Sequence, residues 1–272
     1  MGLFCIDIQH MYTVTCRMQD MPFTQPNAVT PHTPPDRTNW PKTRLFLSNT
    51  LRSGEVVDLS RQQAHYLINV LRHHTGSRLR VFNGYDGEWS AELISATRKT
   101  AILSIKDQLR PQKASPDLWL LFAPIKKSGT EMIFQKATEL GVRRIMPIRT
   151  RYTDSQSFNG ARFKSIAIEA AEQCERLDVP QIDPLTDLAD VLADWPEDRT
   201  IVMADETGGV PIQEVLKTIR PVAALVGPEG GFAPEDRENL FAHKAVSNIT
   251  LGPRVLRAET AVIVLLALIL LA

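Results

Sequence analysis

The residues best able to do chemistry stand in two glycine-bearing segments near the C-terminus. The first, Leu225-Val226-Gly227-Pro228-Glu229-Gly230-Gly231-Phe232, runs from an apolar strand into a loop. Pro234 follows where a first helical residue is favoured, with Glu235 and Asp236 in the first turn. Glycines let the backbone approach a ligand closely, so its N–H and C=O groups can read an adenine edge. No Lys-Ser or Lys-Thr follows and the spacing is not Gly-x-Gly-x-x-Gly, which excludes a triphosphate loop and a dinucleotide fingerprint. Taken alone, the segment is also what a tight turn looks like. The second, Thr250-Leu251-Gly252-Pro253-Arg254-Val255-Leu256-Arg257-Ala258-Glu259-Thr260-Ala261, joins a strand to an aliphatic helix. Arg254, Arg257 and Glu259 are therefore either solvated caps or members of a site. Two glycine loops converging at adjacent strand ends favour the site.

The elements that must position these loops alternate. Residues 118–123, 144–148, 200–204 and 223–226 read as strands. Between them, helices are expected over 130–140 (ending at Gly141), over 163–177 from the steps Phe163, Ile166, Ala170, Cys174 and Leu177, and over 211–219. Such alternation predicts an α/β domain, 117–272, with a mostly parallel sheet covered on both faces. Ligands of such sheets bind at the carboxyl ends of strands, where both loops lie. Ahead of it, short strands at 44–47, 56–59, 78–83, 88–94 and 100–106, with one helix at 61–72, predict a small β-barrel over 44–110. Asn83 to Gly87 supplies a hairpin turn, and 110–116 a linker. Residues 1–43, with six prolines and no sustained periodicity, read as a disordered leader and not as a signal peptide.

Formal net charge is zero, but unevenly spread: residues 44–176 hold 21 Lys+Arg against 13 Asp+Glu, and residues 177–272 hold 7 against 15. A basic front half can meet phosphates although the whole is neutral. Arg44, Arg72, Lys126, Lys127, Arg149 and Arg151 are the candidates for a phosphate track. Cys5, Cys16 and Cys174 form no framework, which fits a reducing cytoplasm. The histidines show no metal-ligand spacing, so no metal is expected. Residues 261–272 are wholly apolar, yet twelve helical residues span only about 18 Å against a hydrocarbon layer of about 30 Å, so a core helix buried on every side is expected and a tail anchor is not.

The two C-terminal motifs, Leu-Val-Gly-Pro-Glu-Gly-Gly-Phe and Leu-Gly-Pro-Arg-Val-Leu-Arg-Ala-Glu-Thr-Ala, closely resemble the ribosomal RNA small-subunit methyltransferase E family. The resemblance continues through residues 135–142, Glu172, Gln173, Arg176, Pro180, His65 and 70–72 of this sequence. It implies a PUA-like RNA-binding barrel and a SPOUT domain with a deep trefoil knot. It also implies a homodimer, S-adenosylmethionine as methyl donor, and methylation of uridine N3 in 16S ribosomal RNA or the small subunit. Carried over, the cofactor positions are Leu225, Gly227, Gly230, Leu251, Gly252 and Leu256. In one departure, Ala233 stands where many relatives place a capping Ser or Thr, a loss of about 1 kcal/mol.

Uracil N3 holds its proton at neutral pH, so such a site needs a base or cationic donors for charge developing on O2 and O4. Arg257, a permanently charged fork of donors, suits the second role. Glu229 is the candidate for removing the proton or orienting Arg257, and could equally tie down loop N–H groups. Rival readings are a SPOUT enzyme acting on a ribose hydroxyl or transfer RNA, and a non-catalytic RNA-binding protein of the same fold.

Overall fold

A computed structural model describes residues 38–153, 158–216 and 221–271. Residues 41–272 form one compact unit, to which all of the following belongs. Most of the expected leader lies outside the described residues. Its last residues depart from the expectation: the Pro41 carbonyl accepts from Arg80 Nε at 2.7 Å, and Thr43 Oγ1 lies 2.9 Å from His73 Nε2.

The front strands are β1 (Arg44–Phe46), β2 (Val56–Asp58), β3 (Arg78–Phe82), β4 (Glu88–Ala96) and β5 (Ala101–Arg110). They form one sheet in the order β1-β3-β4-β5-β2, antiparallel except for β1 on β3. Alternate residues, among them Leu79, Val81, Leu93, Leu103 and Ile105, make its core. In the β3–β4 turn, Asn83 Oδ1 accepts from the N–H groups of Tyr85 and Asp86, while Gly84 takes φ +93°. The helix expected over 61–72 is shorter. A Ser60–Gln63 capping box opens α1 (Arg61–His65), the chain widens into one π-turn at Tyr66–Val70, and Arg72 ends it at φ +59°.

The second sheet is wholly parallel. In chain order its strands are β6 (Leu118–Phe122), β7 (Arg144–Arg149), β8 (Gln181–Ile182), β10 (Thr200–Ala204), β11 (Val210–Pro211), β12 (Val222–Val226) and β13 (Val246–Thr250), and a further strand, β9 (Thr186–Asp187), pairs with β7. The spatial order is β11-β13-β10-β12-β6-β7-β8. The helices are α2 (Lys127–Glu139), α3 (Gly160–Gln173), α4 (Leu188–Ala193), α5 (Ile212–Leu216), α6 (Pro234–Ala242) and α7 (Ala258–Leu271). Because strand side chains alternate, Val222, Ala224 and Val226 join the cluster under α2, α3 and α7, while Ala223 and Leu225 join the opposite one with Leu188, Trp195 and Leu240. Truncating a leucine in either layer costs about 2–5 kcal/mol.

Two helices differ in extent from their sequence signals and a third in burial, while the end of the helix expected over 211–219, seen as α5 (Ile212–Leu216), lies outside the described residues. The N–H of Gly141, at φ +82°, bonds to Thr138 and closes α2 as expected, but α2 starts three residues early. The α3 helix stops before Leu177, since Glu175 turns to φ +60°, yet Leu177 is still buried. α7 is not buried on every side. Ala258, Ala261, Val262, Leu265, Leu266 and Ile269 form one buried stripe against α2 and β12, whereas Ile263, Val264, Ala267, Leu268 and Leu270 are half-buried and Leu271 is 87% exposed. That second face is equally apolar but only partly covered, with Leu268 and Leu270 packed against the edge of the core. No described helix is long and apolar enough to cross a membrane.

Candidate active site

The carboxyl ends of β6, β10, β12 and β13 open toward a cavity of about 650 Å³. Its lining residues come from the four segments that leave those strands, within 125–129, 204–206, 226–231 and 251–261. Parallel register makes this convergence unavoidable, since all four strands end on the same edge. Gly227 is kept open by Phe232, whose ring Cε2 would lie 2.9 Å from a Cβ there. Gly252 takes φ +109°, with nothing within 4 Å of the same position. The loop after β12 is fixed from outside as well: Tyr152 packs against Gly230, and the neighbouring Arg151 N–H donates to Asp236 Oδ2 at 2.8 Å. Ala233 caps α6 with no side-chain bond, as its identity requires.

Asp205 and Glu206, which sequence reasoning missed, line the floor. Asp205 Oδ1 accepts from Thr207 N–H at 2.9 Å and Thr207 Oγ1 at 3.0 Å, and lies 3.3 Å from Arg237 Nη1. Arg237 also holds Glu206 at 3.0 Å. An acidic pair at the end of a parallel strand, followed by Gly208-Gly209, was the available signal. Two carboxylate oxygens in the cavity residues, Asp205 Oδ2 and Glu259 Oε2, are buried without a hydrogen-bond partner among the described residues. Buried acceptors of this kind call for donors from a ligand.

Most expected site residues meet here. Gly227, Gly230, Leu251, Gly252, Leu256, Glu229 and Arg257 all line the cavity. Glu229 and Arg257 are exposed at it, and the Arg257 carbonyl accepts the Ala261 N–H in the first turn of α7. The side chain of Leu225 is not among the cavity's lining: it is fully buried on one face of β12 with Leu188, Trp195 and Leu240, one residue before the lining Val226.

The basic candidates scatter. Lys126 lines the cavity, Lys127 lines a neighbouring one, and Arg151 is exposed beside the Gly230 loop. Arg149 is paired with Asp187 at 2.6 Å on the surface, and Arg72 is exposed on the front sheet's helical segment. Arg44 is a correction: it is no surface contact but the joint between the front sheet and the end of α3. Its guanidinium binds Glu88 Oε1 at 2.5 Å and the carbonyls of Ala171, Glu172 and Arg176 at 2.6, 3.0 and 2.9 Å. Burial pulls this guanidinium below its ordinary pKa, while the Glu88 charge and hydrogen bond oppose that fall. Glu172, which accepts the Phe46 N–H, has its carboxyl pushed up by the same burial.

Comparisons with known proteins agree with this geometry. The RNA methyltransferase domain family matches residues 112–270, and the RNA methyltransferase PUA domain family matches residues 59–106. The two matches make the chain a two-part RNA methyltransferase, a PUA domain ahead of a methyltransferase domain. A ribosomal RNA small subunit methyltransferase E of Rickettsia conorii is 32% identical over 227 residues, 82% of this chain and 93% of its own. The crystal structure of a ribosomal RNA small subunit methyltransferase E from Neisseria gonorrhoeae bound to S-adenosyl methionine is similar at TM-score 0.76 and 25% identity, covering 83% of this chain and 95% of that one. A putative methyltransferase of Legionella pneumophila, in complex with the cofactor SAM, matches at TM-score 0.76 and 28% identity over 84% and 96%. The chain belongs to the ribosomal RNA small subunit methyltransferase E family.

Proposed function

We propose that this protein transfers the methyl group of S-adenosylmethionine to N3 of a uridine in 16S ribosomal RNA. The observation that carries the reading is the convergence of two glycine loops and the exposed Arg257 on one cavity. The cavity fits the donor. Its volume suits a ligand of that size, the glycine backbones permit close approach, and the unpartnered oxygens of Asp205 and Glu259 would accept from hydroxyl, amino or ammonium groups. Gly227, Gly230, Leu251, Gly252 and Leu256 would hold it.

Bound there, S-adenosylmethionine supplies an electrophilic methyl group on a sulfonium. The remaining task falls to the chain. Its loops align the reacting atoms for an in-line displacement. N3 becomes a nucleophile only as its proton leaves, and Arg257 stabilises the charge that then develops on O2 and O4. Glu229, exposed at the same cavity, receives the proton. Lys126, Lys127 and Arg151 hold the RNA backbone beside it.

Two features of the family are part of this reading. A second copy covers the half-buried apolar side of α7, making a homodimer, and the chain end is knotted where α7 packs on α2 and β12. The reaction takes place in the cytoplasm, with the small subunit as its partner. Nucleoside mass spectrometry of 16S ribosomal RNA tests the assignment. Deleting the gene should remove one N3-methyluridine, and the wild-type copy should restore it. An unchanged nucleoside profile would sink the reading.

A further inference from the structure

A second cavity, of about 440 Å³, adjoins the first. Ile125 lines both, so the segment leaving β6 is a partition between them. The two lysines that follow divide in the same way, Lys126 facing the first cavity and Lys127 the second. The α2 helix begins at this partition with no side chain capping its first N–H groups, which favours an anion.

The inner wall of the second cavity is aromatic. Phe158 is half-buried and packs against Phe163 with ring centroids 4.9 Å apart. Its rim is polar. Arg162 is exposed and shares Glu131 at 3.2 Å, leaving the rim with one cation in excess when Lys127 is counted. Asn159 spends its Oδ1 on the Arg162 N–H, and its side-chain NH2 takes no partner among the described residues. An aromatic face, a neutral hydrogen-bond donor and excess positive charge together are what one nucleotide of a single strand requires.

We propose that this second cavity is a nucleotide subsite, and that it takes the RNA residue flanking the uridine that enters the first cavity. The flanking base stacks on Phe158, Asn159 donates to its edge, and its phosphate lies between Lys127, Arg162 and the start of α2. This rests on the methyl-transfer reading above, since the partition would then lie between consecutive nucleotides.

The test uses small ribosomal subunits from a strain lacking the enzyme as methyl acceptor. Phe158→Leu keeps an apolar side chain against Phe163 but removes the stacking face, Phe158→Tyr keeps the face, and Arg162→Gln removes the charge. We expect Phe158→Leu to raise KM for the subunits about tenfold, Phe158→Tyr to stay near wild type, and Arg162→Gln to raise KM while flattening its salt dependence. Affinity for S-adenosylhomocysteine, measured by calorimetry, should be unchanged in all three. Unchanged KM in Phe158→Leu and Arg162→Gln overturns the subsite, as does equal impairment of the Leu and Tyr variants. Weakened dimerisation with unchanged KM overturns it too, by assigning the cavity to a second copy of the chain. If wild type transfers no methyl group to subunits, the proposed function fails instead. Adenosine monophosphate binding to the S-adenosylhomocysteine-saturated protein then decides: loss in Phe158→Leu and Arg162→Gln supports the subsite, and no difference overturns it.

Discussion

The ring of Phe232 occupies the space that a side chain on Gly227 would need, with Cε2 2.9 Å from the position of a Cβ. The last residue of the first glycine motif therefore fixes the identity of its third. Phe232 is buried in the layer beneath the loop and cannot swing away without opening that core. Gly227→Ala should overpack the site by about 1–3 kcal/mol and displace the loop. We expect S-adenosylmethionine affinity, read by calorimetry, to fall about tenfold or more, with a melting temperature only a few degrees lower. Adding Phe232→Leu should restore part of the affinity. Equal affinity in wild type and Gly227→Ala would move the pocket elsewhere.

Glu88 is fully buried among three arginines, with Arg44 at 2.5 Å, Arg110 at 2.8 Å and Arg80 at 3.6 Å. Removing one partner of such a cluster strands buried charge, at a cost of about 3–5 kcal/mol. Glu88→Gln should lower the melting temperature by on the order of 10 °C, at roughly 2–4 °C per kcal/mol for a chain of this size. Arg44→Ala should do much the same while leaving the salt dependence of RNA binding unchanged. A flattened salt dependence would return Arg44 to the RNA track.

Acid should loosen the fold as well. Burial opposes ionisation of Asp178, but the Arg176 hydrogen bond and charge, with Ser115, outweigh it and hold the carboxyl below its usual range. Arg199 and Arg143 do likewise for Asp117 against its burial. A folded pKa below the unfolded one means that the unfolded chain binds more protons in acid. The stability these groups contribute is present above about pH 4 and is lost as pH falls through their folded values. Thermal melts from pH 3 to 7 should show Asp178→Asn less stable than wild type at neutrality, by about 1.5–3 kcal/mol, and converging with it in acid. Parallel curves would mean that Asp178 does not carry the effect.

What was legible in the sequence was local. Strand, glycine loop and helix follow one another within residues 222–242, so their order alone placed Gly227 and Gly230 at a strand's carboxyl end. The direction of the Leu225 side chain follows from the alternation of β12, which puts it on the opposite face from Ala224 and away from the lining of the cavity. Arg44 was illegible: its partners lie 44 and 127 residues away, and only docking of α3 on β1 brings them together. The two-residue strands β8, β9 and β11 carry no periodicity to read. Asp205 was legible as an acidic residue at a strand end, but its contact with Arg237 depends on α6 returning to that loop.

Arg257 and Lys126 line the same cavity and Lys127 the adjoining one, and kinetics should separate their roles. If Arg257 stabilises charge that appears only as N3 loses its proton, its interaction belongs to the transition state. Arg257→Ala should then lower the single-turnover rate by about 10²-fold or more, with little change in cofactor or RNA affinity. Arg257→Lys should also be slow, since an ammonium lacks the planar fork of donors. Lys126→Ala combined with Lys127→Ala should instead weaken RNA binding and reduce the slope of log affinity against log salt by up to about two phosphate contacts, while sparing the rate at saturating RNA. Binding curves at two salt concentrations and single-turnover rates for these variants make the comparison. If Arg257→Ala loses RNA affinity and keeps its saturated rate, Arg257 is one more phosphate contact, and the catalytic centre has been assigned to the wrong residue.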